Sequence, residues 1–312
     1  MIGCYRRSAA IGSVLALLAI LVPAEASACG GCYRLPYQSL LEKVERGDRV
    51  VVAQPSDPNG TTWVIDRTIN GGAANASETV QIDKQLGRST TNTSGSHIQI
   101  WSRTFNSWTN EARANEELAE FLSVAAPLST PQLLPLPVRQ QAQRLRFFLP
   151  YLEHADAKIA DSTHARIAGA PYAVLKEVAA DLDRDKLLVW IENHSAAINT
   201  RVALFVTLLG LCGNEQDARQ IKNWIDQTHT GGEVSYLTAL LTAHIEMEGD
   251  QGVSFIEKSY IRNPDRQLDE VIAAVDALRT HGQAETAVSR DRVKASFRLL
   301  LRQRPPLAEL VI

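Results

Sequence analysis

The chain has 312 residues and a formal net charge of −3. That mild acidity argues against nucleic acid as a partner, because binding phosphate needs a basic surface. The length exceeds what one hydrophobic core usually organises, and so predicts two parts.

The first 28 residues have the order of a cleavable secretory signal: Arg6 and Arg7, an apolar run from Ile11 to Val22, then Ala26 and Ala28 before a cut. The run is shorter than the ~20 residues a membrane-spanning helix needs, so a permanent anchor is the weaker reading. General secretion is preferred to twin-arginine export. Loss of Arg6, Arg7 and Glu25 leaves a mature chain near −4 that begins at Cys29. No later apolar segment reaches transmembrane length, and a lipid anchor on Cys29 is the secondary option.

Once Cys4 leaves with the signal, Cys29, Cys32 and Cys212 remain. Cys29-Gly30-Gly31-Cys32 can close a small disulfide ring in an oxidising compartment, and the two glycines permit the tight turn. A metal or redox role for Cys29 and Cys32 is the alternative. Haem attachment would need His where Tyr33 stands, and a structural zinc site would need two further ligands. Cys212, within Leu208 to Cys212, reads as a small buried hydrophobe.

A short helix is expected over Tyr37 to Glu45, with Leu40, Leu41 and Val44 on one face. Strands are expected at Arg49 to Ala53, Thr61 to Ile65, Thr79 to Ile82 and His97 to Ser102, separated by Pro55 to Gly60 and Asn70-Gly71-Gly72. The combination of N-terminal cysteines, a short helix and the strand Asp48 to Ala53 resembles the start of a netrin-like module. That resemblance implies an OB-type barrel. In the family's metalloproteinase tissue inhibitors the N-terminal cysteine ligates a protease zinc, which gives Cys29 an inhibitory role as a further alternative. Trp101, Phe105 and Trp108 at the end of this module, with Tyr33 and Tyr37 beside the cysteines, are the candidate binding aromatics. The competing reading is core packing.

The character changes near Pro127, and the stretch from Ser129 to Pro137 reads as a connector. Helical periodicity then recurs over Val138 to His154, Ala173 to Leu182, Lys186 to Ile191, Arg201 to Cys212, Ala218 to Ile225, Val234 to Met247, Leu268 to Leu278 and Val293 to Leu301. Trp190 and Trp224 are expected to fill spaces between helices. Asp181, Asp183 and Asp185 suggest a calcium loop but lack its glycine and distal Glu, so a polar turn capping the next helix is expected.

Consecutive helices with short turns are what a stacked solenoid requires. Arg201 to Leu204, Leu208 to Asn214, Asp217, Ala218 and Ile221 resemble a HEAT-like repeat, with a weaker echo at Phe148 to Asp156, and the resemblance spans residues 138 to 226. The whole arrangement is similar to exported bacterial proteins that join a cysteine-led β module to HEAT-like helices.

None of the seven histidines forms a zinc-protease His-Glu-x-x-His pair, and no nucleophile elbow, phosphate loop or dinucleotide fingerprint is present. The expectation is therefore an α+β chain with four parts: signal 1–28, barrel-like module 29–109, helix and proline-rich connector 110–137, and HEAT-like α-solenoid 138–312. Its expected role is a non-enzymatic, cofactor-free binding or scaffolding protein, periplasmic or extracellular, that holds a protein partner.

Overall fold

A computed structural model describes residues 37–73, 75, 78–82, 94–129, 136–194, 200–228, 236–283 and 287–310. The signal segment, Cys29, Cys32, Tyr33 and most of the proline connector lie outside these residues. The described chain is α+β: a curled five-stranded antiparallel sheet, then eleven helices.

The first helix, α1 (Leu40–Arg46), starts at a capping box. Ser39 Oγ accepts from the Glu42 N–H at 3.3 Å, and Glu42 Oε2 accepts from the Ser39 N–H at 2.8 Å. Leu40, Leu41 and Val44 are its buried face, as periodicity predicts.

Five strands follow: β1 (Arg49–Pro55), β2 (Thr62–Asn70), β3 (Thr79–Gln81), β4 (His97–Ser102) and β5 (Ser107–Arg113), in spatial order β3-β2-β1-β4-β5. Register shifts at Val50/Val51 and Val52/Ala53 bend β1 against β2, and a third at Ile98/Gln99 bends β4 against β5. Bulges of this kind add local twist, which accounts for a sheet that curls into a half-barrel. The Pro55 to Gly60 turn is held by the Asp57 carboxylate, which accepts from the Asn59 N–H at 2.8 Å and the Thr61 hydroxyl at 2.9 Å. Four strands match the expected positions, and β5 is an addition to them.

Both faces of the sheet are buried. Val50, Val52, Ile98, Ile100 and Ala112 meet α1 and α2 (Glu116–Ser129), and this core continues through the helices as far as Leu300. Val51, Ala53, Trp63, Ile65 and Val80 form a smaller cluster on the other face, against which Ile82 and Trp108 pack.

The remaining helices are α3 (Val138–Arg146), α4 (Ala157–Ala168), α5 (Tyr172–Glu177), α6 (Arg184–His194), α7 (Thr200–Cys212), α8 (Glu215–Thr228), α9 (Leu237–Glu248), α10 (Asp250–Ile256), α11 (Leu268–Gln283) and α12 (Arg290–Gln303). The single helix expected over Val138 to His154 is broken: α3 stops at Arg146 and a 3-10 turn runs from Leu149 to Tyr151 with Pro150 inside it. Pro127 falls inside α2, so the change from strands to helices comes earlier than Pro127, at Glu116. The polar turn before α6 caps that helix as expected, since Asp183 Oδ1 accepts from the Lys186 N–H at 3.1 Å.

Close packing is sharpest where α7 crosses α9. A Cβ at Gly210 would lie 2.6 Å from Ala243 Cβ and 2.7 Å from Ala243 Cα. Only glycine leaves room for the two backbones to approach so closely. Trp190 on α6 lies 5.3 Å from the Phe205 ring on α7, so it fills the space between helices as predicted.

Candidate interaction site

Tyr37, the first described residue, carries the chain from the N-terminal cysteines onto the helices. It is 54% exposed, while its hydroxyl donates to Asp161 Oδ2 on α4 at 3.0 Å. Asp161 Oδ1 accepts from Arg201 Nη2 on α7 at 2.6 Å, and Arg201 Nη1 donates to Glu153 Oε1 at 2.6 Å. One guanidinium therefore forks between two carboxylates and, through Asp161, fixes the tyrosine. A charge-assisted fork of this kind orients its partners more strictly than a single point charge would.

His164 lies one helical turn beyond Asp161 and is wholly buried, with neither ring nitrogen meeting a hydrogen-bond partner. Burial first, and then the Arg201 charge, lower its pKa to about 4 against the opposing pull of Asp161 and Glu153. It is consequently neutral near pH 7. His244 on α9 is likewise lowered to about 4 by burial and Lys222, opposed by Asp226.

More links fasten α1 and α2, which cover the sheet, to the later helices. The Leu41 N–H donates to Ser162 Oγ at 3.2 Å, Asn115 Nδ2 donates to Asp156 Oδ2 at 3.0 Å, and His154 Nε2 lies 3.0 Å from Glu117 Oε1. Phe121 of α2 packs with Phe147, Phe148 and Tyr151, the Tyr151 ring being 5.2 Å away. These contacts join α1 and α2 to the segment from Phe147 to Ser162.

The arginine fork at Arg201 has counterparts along the chain. Arg184 grips Asp217 through Nε at 2.6 Å and Nη2 at 2.7 Å, Arg146 Nε meets Asp181 at 2.8 Å, and Arg292 Nη1 meets Glu257 at 2.6 Å. Burial would raise the Asp217 carboxyl, but Arg184 and the Asn214 N–H outweigh it and hold it below its usual range. The partners of these pairs are 33 to 40 residues apart, except for the Glu153 arm of the Arg201 fork, which spans 48. Arg201 and Asp217, both in the repeat-like stretch, pair with different partners and not with each other.

Trp101 and Trp108 meet across β4 and β5 with ring centroids 5.6 Å apart and a 49° tilt. Both are half-buried, and Trp108 packs on the smaller sheet cluster, so part of its ring serves the core. Phe105 stands at the hairpin tip, 75% exposed, beside Asn106 with φ of 47°. Cys212 is half-buried, and its thiol is pushed up to about 11 by burial and then by Asp217. That thiol stays protonated and unreactive at neutral pH.

Among the described residues, no group of three or more His, Cys, Asp or Glu side chains could hold a metal ion, and no helix is long and apolar enough to cross a membrane. Of the expected binding residues, Tyr37, Trp101 and Trp108 are placed: the tryptophans come together across the hairpin, while Tyr37 bonds to α4 instead. Glu153, Asp161 and His164 escape sequence reasoning, because their contacts lie far from one another along the chain. No family model, curated protein or solved structure matches the chain.

Proposed function

We propose that the chain is an exported binding or scaffolding protein without catalytic activity, whose helices form a HEAT-like solenoid that presents a surface to a protein partner. The supporting observation is the recurrence of arginine–carboxylate clamps between segments 33 to 48 residues apart, a spacing that suits successive stacked helix pairs. Clamped in this way, the charged groups rigidify helix packing, and the outward helix faces remain available for contact. Cys29 and Cys32, in this reading, staple the mature N-terminus locally, and Tyr37 ties that end to the array.

The test is recovery of a partner by the purified mature chain and by a Cys29→Ser, Cys32→Ser variant. Equal recovery of the same protein by both is expected. Loss of the partner in the variant would transfer the role to the cysteine pair and defeat the surface reading.

A further inference from the structure

Four buried polar atoms with no hydrogen-bond partner belong to three residues on one face of the sheet. Gln99 is fully buried, and neither its Nε2 nor its Oε1 is bonded; Asn110 Oδ1 and Arg49 Nε share that condition. Strand register makes Gln99 and Asn110 direct partners and leaves Arg49, opposite Trp101, as a diagonal neighbour of Gln99. Gln99 pairs with Asn110 on β5 and with Val51 on β1, and Arg49 precedes Val51 by two. Side chains two apart on a strand share a face.

The apolar neighbours identify which face this is. Val51 belongs to the smaller cluster with Trp63, whereas Val50, Ile98, Ile100 and Ala112 belong to the helix-facing core. Trp101 and Trp108, the next pair on the same side of the ladder after Gln99 and Asn110, complete that face. The bulge between Ile98 and Gln99 falls at the same place, where the ladder of β4 on β5 is interrupted.

The chemistry of the patch selects its occupant. Gln99 Nε2 and Arg49 Nε are donors, while Gln99 Oε1 and Asn110 Oδ1 are acceptors. A cation would face the guanidinium, which is itself paired with Glu78, Arg49 Nη2 donating to Glu78 Oε2 at 2.9 Å. An anion would face two carbonyl oxygens. A larger organic molecule has no open route to Gln99, none of whose surface is exposed. Water donates and accepts, and it is small enough to be enclosed among such groups.

We propose that Gln99, Asn110 and Arg49 form a binding site for buried water, seated at the β4–β5 bulge. Water held there bridges the two strands where their own ladder fails. It thereby fixes the register in which Trp101 meets Trp108 and the pose of the hairpin that carries Phe105.

The test is cross-relaxation between water and the Gln99 side-chain amide protons, measured by NMR on the full-length, deuterated, 15N-labelled protein. Comparison with Gln99→Met identifies the resonance, and selective 15N-glutamine labelling identifies it independently should that variant fail to fold. The expected result is a contact with the sign of a long-lived, protein-bound water. Absence of that contact, a direct hydrogen-bond coupling from Gln99 Nε2 to Asn110, or contacts to an organic solute would each overturn the proposal.

Discussion

Substitution of Gly210 by Ala tests the closest helix crossing in the molecule. The added methyl carbon would lie 2.6 Å from Ala243 Cβ and 2.7 Å from Ala243 Cα, against the ~3.5–4.0 Å at which carbon atoms rest. Helix α7 must therefore retreat from α9 by about 1 Å, and the retreat is opposed by Leu208, Leu209, Leu240 and Leu241, all fully buried. Alanine gains about 1 kcal/mol over glycine in a helix interior. Overpacking costs about 1–3 kcal/mol, and backbone-to-backbone overlap falls at the upper end of that range. The net expectation is a loss of about 1–2 kcal/mol, read by denaturant unfolding monitored by circular dichroism. Adding Ala243→Gly relieves the clash with the Ala243 methyl and keeps the clash with the backbone beneath it, so it should restore only part of the loss. A Gly210→Ala chain more stable than the parent would mean that helix propensity is the sole effect and that the two helices do not touch as described.

Further expectations concern the charged and titrating groups. Arg201→Ala leaves Asp161 and Glu153 without their shared guanidinium at a site mostly shielded from water, and should lower unfolding free energy by roughly 2 kcal/mol in equilibrium denaturation. His164 has a folded pKa of about 4 against an unfolded value near 6.5, so its contribution is intact above pH 6.5 and declines as pH falls toward 4. At pH 5 that decline should reach about 2 kcal/mol relative to pH 7.5, and a His164→Phe chain should show a correspondingly shallower acid loss in unfolding measured across that range. Cys212, with its thiol raised to about 11, should resist alkylation at pH 8 in the folded protein and react on denaturation, as followed by peptide mass spectrometry.

Features governed by local periodicity are readable in advance, and those governed by pairing across the chain are not. The stripe Leu40, Leu41 and Val44 announces α1, and the β-branched run at Arg49 to Ala53 announces β1. Strand β5, Ser-Trp-Thr-Asn-Glu-Ala-Arg, has no clean alternation. It is a strand because β4 pairs with it, because Ala112 reaches the core, and because Lys43 of α1 meets Glu111 at 2.6 Å. Helix α4 escapes periodicity because its buried face carries Ser162, Thr163 and His164 where an apolar stripe would normally stand. Ser162 is there to receive the Leu41 N–H, a contact 121 residues distant. The Arg201 fork has the same character: Arg201 itself stands out in the repeat-like pattern, whereas its partners Glu153 and Asp161 precede it by 48 and 40 residues.

The claim that the helical array holds a protein partner is tested most directly by photo-cross-linking in the native host. A benzophenone amino acid placed singly at Val189, Leu268 and Leu301, which are exposed apolar positions on α6, α11 and α12, is compared with one at Phe105 on the hairpin. A discrete adduct to the same protein from one or more helical positions, and not from Phe105, is the predicted result. Adducts from Phe105 alone, or none from any helical position, would contradict it.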